Sequence, residues 1–215
     1  MSWLSRLELR ARQRYYITNL MYYIVGGMAV VFLLDLMGFQ ASNLFYLNMR
    51  MVAQGQVWRL LTFIFLPPSQ SILWIILSLY FYFLIGNMLE SQWGSFRFNL
   101  YYLLGVIGAI IAAAITGYAD NTYLNMSLFF AFAALYPNFQ MMLFFFIPIK
   151  MKWLALLNLL FYLDEFIVRS WPARLAILFS LLNLILFFGK DTFIMLRSEV
   201  LTLNRRIQFR RQYRR

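Results

Sequence analysis

The sequence predicts an all-α polytopic membrane protein, a bundle of six transmembrane helices with a long interfacial loop after the first. Three observations carry this. Of 215 residues, 63% are hydrophobic and 13% charged, whereas a soluble domain is about 45–50% apolar. The apolar positions gather into six stretches separated by polar segments, and about 20 apolar residues suffice for one crossing. The 19 Lys and Arg, against 8 Asp and Glu, fall unevenly on the two sides that those stretches define. A water-soluble enzyme is excluded.

Residues 1–16 carry Arg6, Arg10, Arg12 and Arg14 beside Glu8 and are too polar to span, so they read as a basic cytoplasmic flank. Ile17 to Gly38 is the first span, and no small-residue cleavage pattern closes it, so it is read as retained. Its Gly26-Gly27 pair suits either close helix contact or a flexible step against lipid, and Asp35 is expected to be interfacial. From Gln40 to Ser71, Asn43, Asn48, Arg50, Gln54, Gln56 and Arg59 interleave with Leu44, Phe45, Tyr46, Met49, Met51 and Trp58. That is interfacial composition. Pro67-Pro68 cannot lie inside a helix, so the second span is expected from Ser71 to Leu89.

A third span is expected from Phe98 to Tyr118, with Gly105, Gly108, Ala109, Ala112, Ala113 and Ala114 as a small-residue packing face. Between the two, Glu90, Ser91, Gln92 and Arg97 predict a short polar turn, with Glu90 either paired to Arg97 or capping these helices. Thr122 to Tyr136 is the fourth span, stopped by Pro137-Asn138. At ~1.5 Å per residue it reaches about 22 Å, short of the ~30 Å hydrocarbon core. It must lie inside the bundle or in thinned membrane. Met141 to Ile149 is β-prone, Trp153 to Val168 is the fifth span and Pro172 to Phe188 the sixth. Residues 17–189 thus form the membrane domain, and 190–215 a basic cytoplasmic tail.

With the N-terminus inside, the inner segments hold 15 basic residues and the outer ones only Arg50, Arg59, Arg169 and Arg174. That asymmetry predicts both termini on the cytoplasmic side. The tail from Gly189 has eight basic residues against Asp191 and Glu199, which suits anionic lipid headgroups; an acidic protein or RNA is the rival reading of such a tail, with nucleic acid not expected for the chain as a whole. Asp164, Glu165, Arg169 and Arg174 should cluster around the outer loop joining the last two spans, as a gate or as an internal salt bridge. Asn99, Asn125, Asn158 and Asn183 lie within spans, where amides bond between helices.

Zero Cys excludes disulfides and a thiolate nucleophile, and zero His excludes an imidazole base or metal ligand. No cofactor and no metal are expected.

Trp58-Arg59 in "GQVWRLLT", then Gly86 and Glu90 in "GNMLESQWGSFRF", then "NMSLFFAFAALYP" and "ARLAILFSLLN" occur in an order that resembles the rhomboid superfamily over most of residues 50–190. The "AFAA" run and "IPIKMKWL" are similar to a Gram-positive bacterial group within it. The resemblance implies a six-helix rhomboid-like bundle in the bacterial cytoplasmic membrane. It also implies a Trp-Arg pair in a loop lying in the outer leaflet and a Gly-x-x-x-Glu at the inner end of the second span.

The catalytic positions depart from the family. Met126 stands where the nucleophilic Ser is expected, with Asn125 and Ser127 beside it, and Ser127 is turned roughly 100° from the required face unless the register slips by one. Arg174 stands where the His base is expected, and a guanidinium cannot accept a proton near neutral pH. Trp74 and Ser78 stand at the second-span positions of the oxyanion His and Asn, and Ile177 and Leu181 replace glycines of the sixth span. Lys150, Lys152 and Lys190 fall on the cytoplasmic side, away from Ser127.

The expectation is therefore a pseudoprotease, not an enzyme, and the resemblance to inactive rhomboid relatives implies that it binds transmembrane client proteins in trafficking or quality control. Trp74, Ser78 and Asn125 are its candidate client contacts. The alternatives are an active rhomboid-type intramembrane serine protease with a non-standard site, and a small transporter or pore. Oligomeric state is left open.

Overall fold

The computed structural model describes residues 16–143 and 147–168 and, beyond them, Trp171, Arg174, Ile177, Leu178, Leu181, Leu182 and Leu184. The protein is mostly helical. Among the described residues, two helices are long and apolar enough to cross a membrane, α5 (Ile72–Trp93) and α6 (Ser95–Thr116). At 22 residues each, both reach about 33 Å. Helix α1 (Leu20–Leu36) and α7 (Thr122–Leu135) are shorter and equally apolar, and α8 (Met151–Val168) carries Lys152, Asp164 and Glu165. The described positions beyond α8, from Trp171 to Leu184, are helical.

Two boundaries differ from expectation for a physical reason. Helix α5 does not stop at Leu89; Glu90, Ser91 and Gln92 are its last turn, and Arg97 lies inside α6. The break is Gly94 alone, at φ 82°, with its N–H donating to the Glu90 carbonyl. Only glycine takes that backbone conformation cheaply, so one residue reverses the chain where a polar turn was expected. Asp164 and Glu165 lie near the end of α8, within the expected fifth span.

The loop between α1 and α5 is built from α2 (Ala41–Phe45), β1 (Leu47–Asn48), α3 (Met49–Ala53), α4 (Arg59–Thr62) and a 3-10 turn at Phe63–Phe65. Strand β1 pairs antiparallel with β2 (Tyr118–Ala119), Leu47 opposite Ala119, and the Met49 N–H donates to the Gly117 carbonyl. The loop is thereby fixed to the far end of α6. The β-prone stretch forms a hairpin, β3 (Gln140–Leu143) with β4 (Ile147–Lys150).

Helix α5 packs against α1, α6 and α7. A β-carbon on Gly86 would collide with the Met21 side chain, so this glycine sets the approach of α1 to α5. Gly27 is filled in the same sense by the Phe65 ring of the loop, whereas Gly26 has open space around it; the pair thus serves a helix-to-loop contact. On α6 the buried face is Phe98, Tyr101, Tyr102, Val106, Ala112 and Ala113, and Ala114 of the expected small-residue face is exposed. The outward sides of α5 and α8 present Leu73, Ile76, Tyr80, Leu156, Leu160 and Leu163. Apolar residues facing both core and surroundings belong to a helix immersed in lipid, and with these helices the protein reads as an integral membrane protein.

Candidate functional site

Three side chains tie the ends of the helices together. Glu90, 7% exposed, accepts the Asn19 N–H at 2.7 Å, the Leu20 N–H at 3.2 Å and the Ser95 hydroxyl at 2.6 Å. The first N–H groups of a helix have no partner of their own and carry a partial positive charge. Asn19, the residue before α1, makes no side-chain cap, so the carboxylate of α5 caps α1. Glu90 is thus shared between the starts of α1 and α6, where a cap on the second and third spans was expected.

Arg59 is 6% exposed. Its Nη1 donates to the carbonyls of Asn43 at 2.8 Å and Tyr46 at 2.7 Å, and its Nε to Gln56 Oε1 at 2.7 Å. Asn43 and Tyr46 lie at the end of α2, whose last carbonyls attract a cation. The neighbouring Trp58 is turned outward, 50% exposed. The Trp-Arg pair therefore divides its work: the guanidinium knits the loop from within, and the indole faces the surroundings, where amphipathic rings settle at a membrane interface.

The third tie, Asn121, escaped the sequence reading. Its amide donates to the carbonyls of Ile64 at 3.1 Å and Leu66 at 2.9 Å. The signal was present in Pro67-Pro68: these residues have no N–H, so the Ile64 carbonyl cannot find its helical partner four residues on. Asp35 accepts from the N–H and hydroxyl of Ser42 and so joins the end of α1 to α2. In the loop, the Tyr46 ring stacks on Tyr118 at 6.4 Å, and burial, then the Asp120 carboxylate, pushes its phenol above the ordinary range.

Helix α7 holds the positions of the expected dyad. Successive residues point about 100° apart, so Asn125, Met126 and Ser127 serve three directions. Met126 lines a cavity of about 460 Å³ between α7 and α8, together with Thr122, Tyr123, Asn158, Tyr162 and Asp164. Ser127, 1% exposed, donates its hydroxyl to the Leu124 carbonyl at 2.8 Å and lies beside Tyr101 of α6, whose hydroxyl donates to the Ser127 carbonyl at 3.0 Å. Asn125 is 2% exposed and sits next to the Tyr82 hydroxyl of α5, yet neither amide atom completes a well-formed hydrogen bond among the described residues.

Arg174 lies over the Trp171 ring at 5.4 Å and the Phe166 ring at 5.9 Å, and its Nη2 donates to the Ile167 carbonyl at 2.9 Å. It closes the end of α8. Of the acid-base cluster expected around it, Arg169 lies outside the described residues. Asn99 bonds across the bundle to the Ile17 carbonyl, whereas Asn158 bonds back to Leu154 in its own helix, against the expectation for span amides; Asn183 lies outside the described residues. The basic segments 1–15 and 189–215 do as well.

The candidate client contacts differ in exposure. Trp74 is exposed on α5, Ser78 is half-buried one turn on, and Asn125 is enclosed; none of them lines the cavity. Among the described residues, no three acidic, His or Cys side chains come together as a metal site would require.

A family model described as Rhomboid domain matches residues 54–182, more than half of the chain. No curated protein and no solved structure matches.

Proposed function

The chain belongs to the rhomboid family, and from that premise we propose that it is a non-proteolytic member that holds transmembrane segments of other proteins. One observation carries the reading. The serine hydroxyl next to the expected nucleophile position, that of Ser127, is buried and spent on the Leu124 carbonyl, while Met126 itself turns its thioether to the cavity. A serine nucleophile needs an adjacent base and room for an acyl group. The chain has no His, and Arg174 at the expected base position is a permanent cation engaged with a carbonyl and two rings. Ile177, where the family has glycine, is buried and bulky, which argues against the close helix approach that a dyad needs.

The client reading is supported by two features. Thr122–Leu135 is 14 residues long and reaches only about 21 Å, less than the ~30 Å core. The loop that ends at Leu66 is bonded to its start through Asn121. A short helix capped by a rigid interfacial loop is a place where the bilayer thins and polar parts of a client helix cost less to hold. The six-span arrangement, the cytoplasmic placement of both termini and the binding of anionic headgroups by the tail from Gly189 belong to the same proposal. They rest on the apolar stretches and on the basic residues gathered on one side.

The test is direct. The full chain in proteoliposomes is exposed to a serine-directed fluorophosphonate and to transmembrane reporter substrates. Neither labelling nor cleavage is expected; labelling that disappears in Ser127→Ala would establish the protease reading instead.

A further inference from the structure

We infer that the cavity between α7 and α8 is a subsite for a basic side chain, Lys or Arg, carried by a bound client helix. This deepens the client-binding reading above and rests on it. The walls include the rings of Tyr123, Phe161 and Tyr162, and among the described lining residues Asp164 is the one charged group. Among the described residues, no Lys or Arg lines the space. A cation gains twice in such a place: from the electron-rich ring faces, and from a carboxylate in surroundings less polar than water. A neutral side chain gains neither and takes water away from Asp164, which costs free energy.

The rings are held in place before any ligand arrives. Tyr123 and Tyr162 meet edge to face at 5.8 Å and 85°, and Phe130 backs Tyr162 at 5.5 Å and 86°. A recognition surface that need not be ordered on binding loses less entropy. Thr122 begins α7 and Val168 ends α8, so the cavity lies at the ends of both helices, the depth at which a Lys or Arg of a membrane helix extends its stem along apolar surface and its charge towards water. Met126 and Val168 offer that apolar surface.

A lipid ammonium is the competing cation, and the lining argues against it. The headgroup amine of a phospholipid brings a phosphate with it, and no basic residue among the described lining residues would receive that phosphate. A Lys or Arg side chain brings no anion. Arg174 does not pre-empt the site: it sits on the Ile167 carbonyl and against Phe166 and Trp171, neither of which lines the cavity.

The experiment uses the full chain in phosphatidylglycerol proteoliposomes with a photocrosslinking phenylalanine analogue at Phe161. Two single-span helices are offered, identical except for Lys or Gln one turn from the end level with Thr122. We expect the Lys helix to crosslink about tenfold more than the Gln helix, a ratio that corresponds to about 1.4 kcal/mol. Asp164→Asn should bring the two to equality without reducing crosslinking of the Gln helix. Equal crosslinking of the two helices by the unmutated chain, or a Lys preference that survives Asp164→Asn, overturns the subsite and leaves client binding standing. Loss of the Lys preference when phosphatidylethanolamine is added identifies a lipid-amine site and also overturns it. Crosslinking of neither helix overturns the client reading itself, and the subsite with it.

Discussion

The Glu90 carboxylate at the end of α5 accepts the N–H of Asn19 at 2.7 Å, although 71 positions separate them in the chain. The contact explains the Glu of the Gly-x-x-x-Glu motif: an acid in the last turn of one helix supplies the cap that the start of another lacks. Replacing Glu90 by Ala strands two backbone donors and the Ser95 hydroxyl. Hydrogen bonds to a charged group are worth about 1.5–3 kcal/mol each and are not additive, so a loss of roughly 2–4 kcal/mol is expected. Gln, which keeps an acceptor but not the charge that the helix terminus favours, should lose about half as much. Thermal unfolding in detergent measures both.

Gly86 and Gly26 look alike in sequence and should respond in opposite ways. Gly86→Ala drives a methyl group into Met21, and overpacking of this kind costs about 1–3 kcal/mol. Gly26→Ala meets nothing within 4 Å and should be neutral or slightly stabilising, since Ala is the better helix former by about 1 kcal/mol. Adding Met21→Ala to Gly86→Ala should recover part of the loss, a coupling that a double-mutant cycle detects.

For the loop, Arg59 should matter far more than Trp58. Arg59→Ala leaves the Asn43 and Tyr46 carbonyls without their donor, an expected cost of about 2–4 kcal/mol when a buried charged partner is removed. Arg59→Lys should restore only part of it, because an ammonium lacks the planar fork that reaches the two carbonyls and Gln56 together. Trp58→Ala should change stability in detergent by under about 1 kcal/mol. Protease sensitivity of the loop, followed alongside unfolding, distinguishes loosening of this segment from loss of the whole fold.

Reporter fusions test the topology. Fusions at Arg215 and at Asp120 should report opposite sides of the membrane, with the C-terminus cytoplasmic. An external readout at Arg215 would reverse the orientation proposed for the basic segments.

Much of the helical plan was legible because burial in lipid demands long apolar runs, and such runs can be counted without knowing their neighbours. The start of α7 at Thr122, the extended character of Met141 to Ile149 and the break at Pro67-Pro68 follow from composition and from proline's missing N–H. The absence of His also needs no coordinates. What the sequence left open was each polar side chain's choice of partner. Glu90 takes, besides Ser95 close by in the chain, the N–H groups of Asn19 and Leu20 some seventy positions away; Asn121 serves the carbonyls of Ile64 and Leu66, more than fifty positions earlier. Asn125, Met126 and Ser127 are neighbours in sequence and part company in space, one beside Tyr82, one lining the cavity, one beside Tyr101. Apolar burial is non-directional and summed over many residues, so pattern alone determines it. A hydrogen bond needs one donor and one acceptor within about 3 Å, and only the packing of α1, α5, α6 and α7 decides which two meet.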